Sequence, residues 1–355
     1  MVKTIYLCSL RERVGKSFLS IGILQKLKME NKKAIYFKPI GIPASAYSAK
    51  ADRDVGFIQK TCIDQSRFPY DLHSPVSIPD CYYIDLVDQR KKIEYLELIK
   101  QAYNTISKDV DYVIIEGAPT IKKFIRVGLD DITIAQSLDL QEVIYVETES
   151  SDKCIDNLFF TKKYFDYRKI GIKGIIFNKI DHDYIARIKE LEINHIKKYN
   201  IPIIGIIEKS LELFSPRVLE IMEAIGGELI NEITSESLDD LVETYIIGAM
   251  NTQSALKYLR QVKRAAFITG GDRSDLILAA INEDISCLIL TGFIQPDIKV
   301  ITAANERGIP IILSPSDTYT TMRNLMRIKP SIQEKEINLI LDILDKALDW
   351  NLLLA

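Results

Sequence analysis

At 355 residues, with 47% hydrophobic and 27% charged side chains, the chain has a globular composition, ample core and a length that argues for two domains. A formal net charge of −3 and the lack of any Lys/Arg block leave no electrostatic footprint for nucleic acid or an anionic membrane, so neither is expected as a partner. No stretch approaches the ~18 apolar residues of a membrane span, and the short apolar start runs directly into a polar loop, which predicts a cytoplasmic protein. Cys8, Cys62, Cys81, Cys154 and Cys287 are widely spaced with no Cys-x-x-Cys pair, so neither a disulfide framework nor a zinc site is indicated. Most are expected to be buried small hydrophobes.

The first element is a β-type run, Thr4-Ile5-Tyr6-Leu7-Cys8, followed by the loop Ser9-Leu10-Arg11-Glu12-Arg13-Val14-Gly15-Lys16-Ser17. Phe18, Ile21, Leu24 and Leu27 then recur at helical spacing. Strand, loop and Gly-Lys-Ser opening a helix predict a phosphate-binding loop. Backbone N–H groups curl around an anion, Lys16 reaches the β/γ-phosphates and the Ser17 hydroxyl ligates Mg²⁺ at the helix N-terminus. The usual first glycine is missing, with Ser9 or Leu10 in its place. From Ser9 to Ser17 the loop resembles that of dethiobiotin synthetase-like proteins, which has five residues between its glycines and ends Val-Gly-Lys-Thr. The resemblance implies ATP and Mg²⁺ as cofactors, with Glu12, Val14, Gly15, Lys16 and Ser17 around the nucleotide and Lys16 also catalytic.

Next comes Ala34-Ile35-Tyr36-Phe37-Lys38-Pro39, a strand whose carboxyl end carries Lys38. Ligands of open α/β sheets bind beyond that end. The resemblance implies that Lys38 lies beside the substrate and the transferred phosphate; a plain surface lysine is the alternative. The segment from 51 to 58 resembles the family's acidic stretch, in which Asp54 aligns best, and Asp52 second, with an Mg²⁺-binding aspartate. Without that resemblance, Asp-x-Asp at a helix start reads as an N-cap. From 61 to about 91 the sequence reads as irregular, with Pro69, Pro75, Pro79, Tyr70, Tyr82 and Tyr83, and is a candidate substrate lid.

The run Asp111-Tyr112-Val113-Ile114-Ile115-Glu116-Gly117-Ala118 predicts a buried parallel strand that delivers an acid to the phosphates, making Glu116 a second Mg²⁺ ligand or a water-positioning group. Glu-Gly-Ala matches the family signature, but Pro119 and Thr120 stand where the family has two glycines. Further β-type runs at 142–146, 172–177 and 203–207, spaced by helix-length polar segments, complete a βαβ alternation. Asn178-Lys179-Ile180-Asp181 admits two readings. In the synthetase-like family an asparagine here contacts adenine, whereas Asn-Lys-x-Asp is also the guanine-reading motif of GTPases. The synthetase-like loop favours ATP.

The expected fold is α/β: a doubly wound, mostly parallel P-loop domain over 1–210, a smaller α/β domain over 215–330 and a C-terminal helix in 331–355. In the second domain, strands are expected at 241–247, 265–271, 287–291 and 310–313, with helices at 252–259 and 272–280. Gly270-Gly271-Asp272-Arg273 before an apolar helix resembles the DRTGG domain, usually regulatory and often dimeric. Asp272 could simply cap that helix, which leaves Arg273 as the residue with a functional rationale. The terminal helix, apolar at Ile337, Leu339, Ile340, Ile343, Leu344 and Leu348, reads as packing or oligomer surface.

The tandem resembles the N-terminal half of long-form phosphotransacetylases, and its P-loop part resembles that of cobyrinic acid a,c-diamide synthases. His73, His182 and His195 all fall in the first domain, so the Cys–His pair of a glutaminase is not expected in the second. Nor is acetyl transfer, since the chain ends where a phosphotransacetylase catalytic domain would begin. The main expectation is a nucleotide-binding, metabolite-responsive sensor that forms homodimers; the alternative is a ligase-like enzyme that phosphorylates a carboxylate or carbamate.

Overall fold

The computed structural model describes residues 2–43, 52–62, 68–328 and 330–355. Ala51 of the acidic segment and 63–67 of the candidate lid lie outside the described residues. Two units form: Met1–Lys209 with Ile332–Ala355, and Ser210–Ser331.

In the first unit the chain runs β1 (Lys3–Cys8), α1 (Lys16–Met29), β2 (Ala34–Phe37), β3 (Ile40–Gly41), α2 (Arg53–Thr61), α3 (Tyr70–His73), β4 (Val76–Ser77), α4 (Tyr83–Leu86), α5 (Gln89–Ile106), β5 (Tyr112–Glu116), α6 (Asp131–Ser137), β6 (Glu142–Glu147), α7 (Lys153–Tyr167), β7 (Gly171–Ile180), α8 (His182–Leu191) and β8 (Ile203–Glu208). Six strands make a wholly parallel sheet in the order β2-β5-β1-β6-β7-β8. Their near-continuous Ile/Val/Tyr runs are buried, as helices on both faces of a parallel sheet require. The chain order reverses at β1, so the loop after it sits at the switch point where such sheets bind ligands. The stretch read as irregular instead carries α3, α4, the start of α5 and the two-residue strand β4, which pairs in parallel with β3. These pieces are too short to leave a periodic signal.

The second unit comprises α9 (Leu211–Phe214), α10 (Val218–Ile225), β9 (Glu228–Leu229), α11 (Ser235–Asp239), β10 (Thr244–Ile247), α12 (Thr252–Leu259), β11 (Ala265–Gly270), α13 (Ser274–Ala280), β12 (Ile285–Thr291), α14 (Ile298–Glu306), β13 (Ile311–Leu313) and α15 (Thr318–Leu325). Its sheet order is β10-β11-β12-β13-β9, parallel except for β9. Two readings at its glycine turn change. Asp272 is not the cap, because Arg273 occupies the N-cap position of α13. Arg273 is fully engaged locally: its guanidinium donates to the carbonyls of Gly248 (2.7 Å) and Met250 (2.8 Å), stapling the loop after β10 to the start of α13.

The single terminal helix expected from the sequence is two, α16 (Ile337–Ala347) and α17 (Trp350–Leu354), and both belong to the first unit. Leu348 breaks the helix by pairing with Gly205 at the β8 edge, and the Asp349 N–H donates to the Ile204 carbonyl at 2.8 Å. α16 lies against α1. A Cβ on Gly22 would come within 2.1 Å of Leu344 Cδ1, so only glycine permits this approach. That explains why α1 is apolar nearly all round, with Leu19 and Ile23 as buried as Phe18 and Ile21.

Candidate functional site

The loop between β1 and α1 takes left-handed backbone at Arg13 (φ 59°) and Gly15 (φ 86°), whereas Ser9 needs no such conformation. Glycine is thus dispensable at Ser9 but suited to position 15. Ser9 is fully buried; its Oγ lies 2.8 Å from the Arg11 carbonyl and 3.3 Å from that of Pro119, and its own carbonyl accepts the Ile121 N–H. The two departures from the family pattern, Ser9 and Pro119, therefore meet. Lys16, 6% exposed, donates to Ser9 Oγ (2.8 Å) and the Pro119 carbonyl (3.1 Å). Burial lowers its pKa, against the pull of Asp131 and Glu116.

At the helix start, Ser17 Oγ lies 2.8 Å from Asp54 Oδ2 and 3.1 Å from Glu116 Oε1, so its one hydrogen serves one carboxylate at a time. Lys38 Nζ sits 2.9 Å from Asp52, 3.3 Å from Glu116 and 3.8 Å from Asp54. Burial alone would depress the ammonium, but Glu116, Asp52 and Asp54 together outweigh it and hold the pKa above its ordinary value. Burial pushes the Glu116 carboxyl up, opposed first by Lys38. The two alternatives for Asp-x-Asp divide between its residues: Asp52 caps α2 by accepting the Asp54 N–H, while Asp54 faces Ser17.

One ammonium among three carboxylates leaves local negative charge, and a hydroxyl with two carboxylates is a hard-oxygen donor set that fits Mg²⁺, which takes its remaining ligands from phosphate and water. Glu12 stands exposed on the loop, and Val14 is buried with its carbonyl accepting from Asn178 Nδ2 at 2.8 Å. Asn178, expected to contact adenine, is fully buried, and its Oδ1 takes the Lys179 N–H. It braces the phosphate loop. Lys179 Nζ donates to the Arg13 carbonyl at 3.0 Å, and burial, with Lys209 and Arg13 nearby, pulls its pKa down to about 8. His73 is buried, its Nδ1 2.8 Å from the Tyr36 carbonyl; His182 is exposed beside Glu208.

Two residues of the site left no readable trace. Tyr36 donates its hydroxyl to Glu116 Oε2 at 2.9 Å; nothing distinguishes it from any aromatic strand residue. Asp131 follows Asp130, which caps α6, and the pair reads as helix-start acids. Yet Asp131 is wholly buried beneath Gly117, with Oδ1 accepting from the Ala118 N–H (2.7 Å) and Tyr6 hydroxyl (3.1 Å). Among the described residues its Oδ2 has no hydrogen-bond partner. Burial, relieved mainly by Lys16, raises its carboxyl to about 7. An acid with a raised folded-state pKa contributes stability at low pH that is lost as pH rises from its unfolded value, ~4, through about 7. Asp131→Asn is therefore expected to gain stability over the native chain between pH 5 and pH 8, read as the difference in melting temperature; a difference that does not change with pH would refute a buried titrating acid.

Sheet, switch-point loop and buried lysine define a P-loop α/β protein. The AAA domain model matches residues 3–217 and the DRTGG domain model residues 220–328. The chain belongs to the AAA domain family, with a DRTGG domain following. It is similar to the phosphate acetyltransferases (phosphotransacetylases) of Nitratidesulfovibrio vulgaris, at 25% identity over 98% of this chain and 51% of that protein, and of Synechocystis, at 24% over 94% and 48%. The Escherichia coli enzyme is 22% identical over 92% and 48%. The chain thus spans about half the length of the curated relatives it matches. Among solved structures, similar ones include Pyrococcus horikoshii MinD complexed with Mg-ADP (12% identity, TM-score 0.37, 60% of this chain and 84% of that one). Another is the CBS and DRTGG regulatory region of Clostridium perfringens pyrophosphatase complexed with diadenosine tetraphosphate (19%, 0.27, 40% and 70%). No helix among the described residues is long and apolar enough to cross a membrane.

Proposed function

We propose that the protein binds a Mg²⁺–nucleoside triphosphate in the first unit and acts as a metabolite-responsive regulatory sensor, with the DRTGG domain as its responsive part. The observation that carries this reading is the convergence of Ser17, Asp54 and Glu116 on one point at the N-terminus of α1, beside buried Lys16. Ser17, Asp54 and Glu116 would hold Mg²⁺, which supplies charge neutralisation for the β/γ-phosphates. Lys16 binds the same phosphates through charge-assisted hydrogen bonds, and loop N–H groups around Gly15 orient them. Asn178 and Lys179 keep that loop in shape through Val14 and Arg13. A closed twofold homodimer is part of the proposal.

A second reading, ligase-like phosphoryl transfer to a carboxylate or carbamate, is favoured by Lys38, whose ammonium is held charged at the same cluster. Calorimetry with excess Mg²⁺ and again with a chelator tests binding; no metal-dependent heat with any nucleoside triphosphate refutes it. ADP or GDP release is then measured against a panel of small carboxylates and diamines. Slow turnover with metabolite-altered affinity supports the sensor, and steady release stimulated by one compound transfers the assignment to the ligase.

A further inference from the structure

We infer that Tyr36 selects the metal ion of this site: by holding one oxygen of Glu116 it makes that carboxylate a one-oxygen ligand, which favours Mg²⁺ over the larger Ca²⁺. This rests on the Mg²⁺–nucleoside triphosphate reading above and extends it to the choice of ion.

β2 and β5 are parallel neighbours, with Tyr36 paired to Ile114. Side chains alternate along a strand, so Ile114 and Glu116 leave β5 on one face of the sheet, and Tyr36 leaves β2 on the same face. The tyrosine hydroxyl reaches two residues along that face and donates to Glu116 Oε2 at 2.9 Å. Both partners are buried, Tyr36 at 0% and Glu116 at 5% exposure. The backbone behind the ring is held too, with the Tyr36 carbonyl 2.8 Å from His73 Nδ1. Phenylalanine would fill the same volume in this apolar run, so packing does not account for the hydroxyl.

The other oxygen faces the site. Glu116 Oε1 lies 3.1 Å from Ser17 Oγ and 3.3 Å from Lys38 Nζ. The two oxygens of one carboxylate therefore have separate partners. Turning Oε2 toward an ion would break a buried hydrogen bond and strand the phenol donor, which is costly away from water. Asp54 carries no such restraint: its side chain is 49% exposed and can meet either ion with one oxygen or two. Discrimination thus falls to Glu116, the rigid member of the pair.

The two ions respond differently to such a ligand. Mg²⁺ demands a near-ideal octahedron at ~2.0–2.1 Å, in which one carboxylate oxygen takes one corner, and it fills the rest from phosphate and water. Ca²⁺ takes about 6–8 oxygens at ~2.3–2.6 Å and gains from carboxylates that offer both of theirs. A buried carboxylate confined to one oxygen suits the first ion and under-serves the second.

The test is calorimetry on the full chain with ATP and, separately, GTP, each in saturating Mg²⁺, Mn²⁺ or Ca²⁺. For whichever nucleotide binds tighter, the native chain is expected to hold the Mg²⁺ complex at least about tenfold tighter than the Ca²⁺ complex, ~1.4 kcal/mol, with Mn²⁺ between them. Tyr36→Phe keeps the ring and frees Oε2. It should bring the two affinities to within about threefold of each other, chiefly by strengthening the Ca²⁺ complex. A tyrosine that only holds the strands together would weaken every complex alike, so an unchanged ratio in the variant overturns the assignment. Tyr36→Met, whose flexible side chain fills the site without a donor, carries the same comparison where the phenylalanine variant does not melt cooperatively. A native chain that binds the Ca²⁺ complex as tightly as the Mg²⁺ complex also overturns it. Those results leave metal-dependent nucleotide binding intact, whereas no binding of either nucleotide with any of the three ions overturns both readings.

Discussion

Lys16→Ala is expected to weaken Mg²⁺–nucleotide binding by roughly a hundredfold, ~2.7 kcal/mol, the scale of losing charge-assisted hydrogen bonds to phosphate. The effect should be large because the ammonium is already desolvated: it is 6% exposed, and burial is the leading cause of its lowered pKa. Little new dehydration is needed when phosphate arrives. The fold should survive, because the Ser9 and Pro119 oxygens that accept from Lys16 sit in a turn also closed by the Ile121 N–H to the Ser9 carbonyl. Calorimetry at fixed ionic strength, with a melting curve as control, decides it. An affinity within threefold of the native chain would remove Lys16 from the binding machinery.

Deleting residues 332–355 should prevent the first unit from folding, although its sheet is complete without them. Ile340, Leu344 and Leu353 are fully buried, and Ile337, Leu341 and Leu348 nearly so. At ~1.5–3 kcal/mol per buried aliphatic side chain, their loss is on the order of 10 kcal/mol, comparable with the whole stability of a domain. Hydrogen bonds to the Leu354 carbonyl from Lys3 (2.9 Å) and Tyr112 (3.2 Å) go with them. The expected result is an insoluble or molten product that binds no nucleotide. Leu344→Ala in the full chain is the graded version, with an expected cost of about 2–5 kcal/mol in urea denaturation. A deleted chain that melts cooperatively near the native temperature would show that α16 and α17 are accessory.

The α/β class of both units and most of their long strands were legible because each strand is a local apolar run and each long helix repeats at its own period. The chemistry of Gly15, Lys16 and Ser17 was legible for the same reason, being carried by consecutive residues. Contacts between distant residues were not. Nothing in Ser9 and Pro119 announces that they touch, and Asp131 looks like any second acid at a helix start. Arg273 reads as a residue with a functional rationale until the carbonyls of Gly248 and Met250 come into place. The break at Leu348 escaped because its cause, the exposed edge of β8 at Gly205, lies far away in sequence. β9, two residues long, carries no period at all.

The position of α16 and α17 has a consequence for how the protein is made. Domains ordinarily fold from the N-terminus as they leave the ribosome. Here residues 210–331 can close around their own sheet as soon as they emerge, while the first 209 residues must wait for a cover that is synthesised after residues 210–331. Until then Leu19, Ile23 and the bare patch around Gly22 face water. On the nascent chain, a folded P-loop unit would arrive only after the DRTGG domain is already in place.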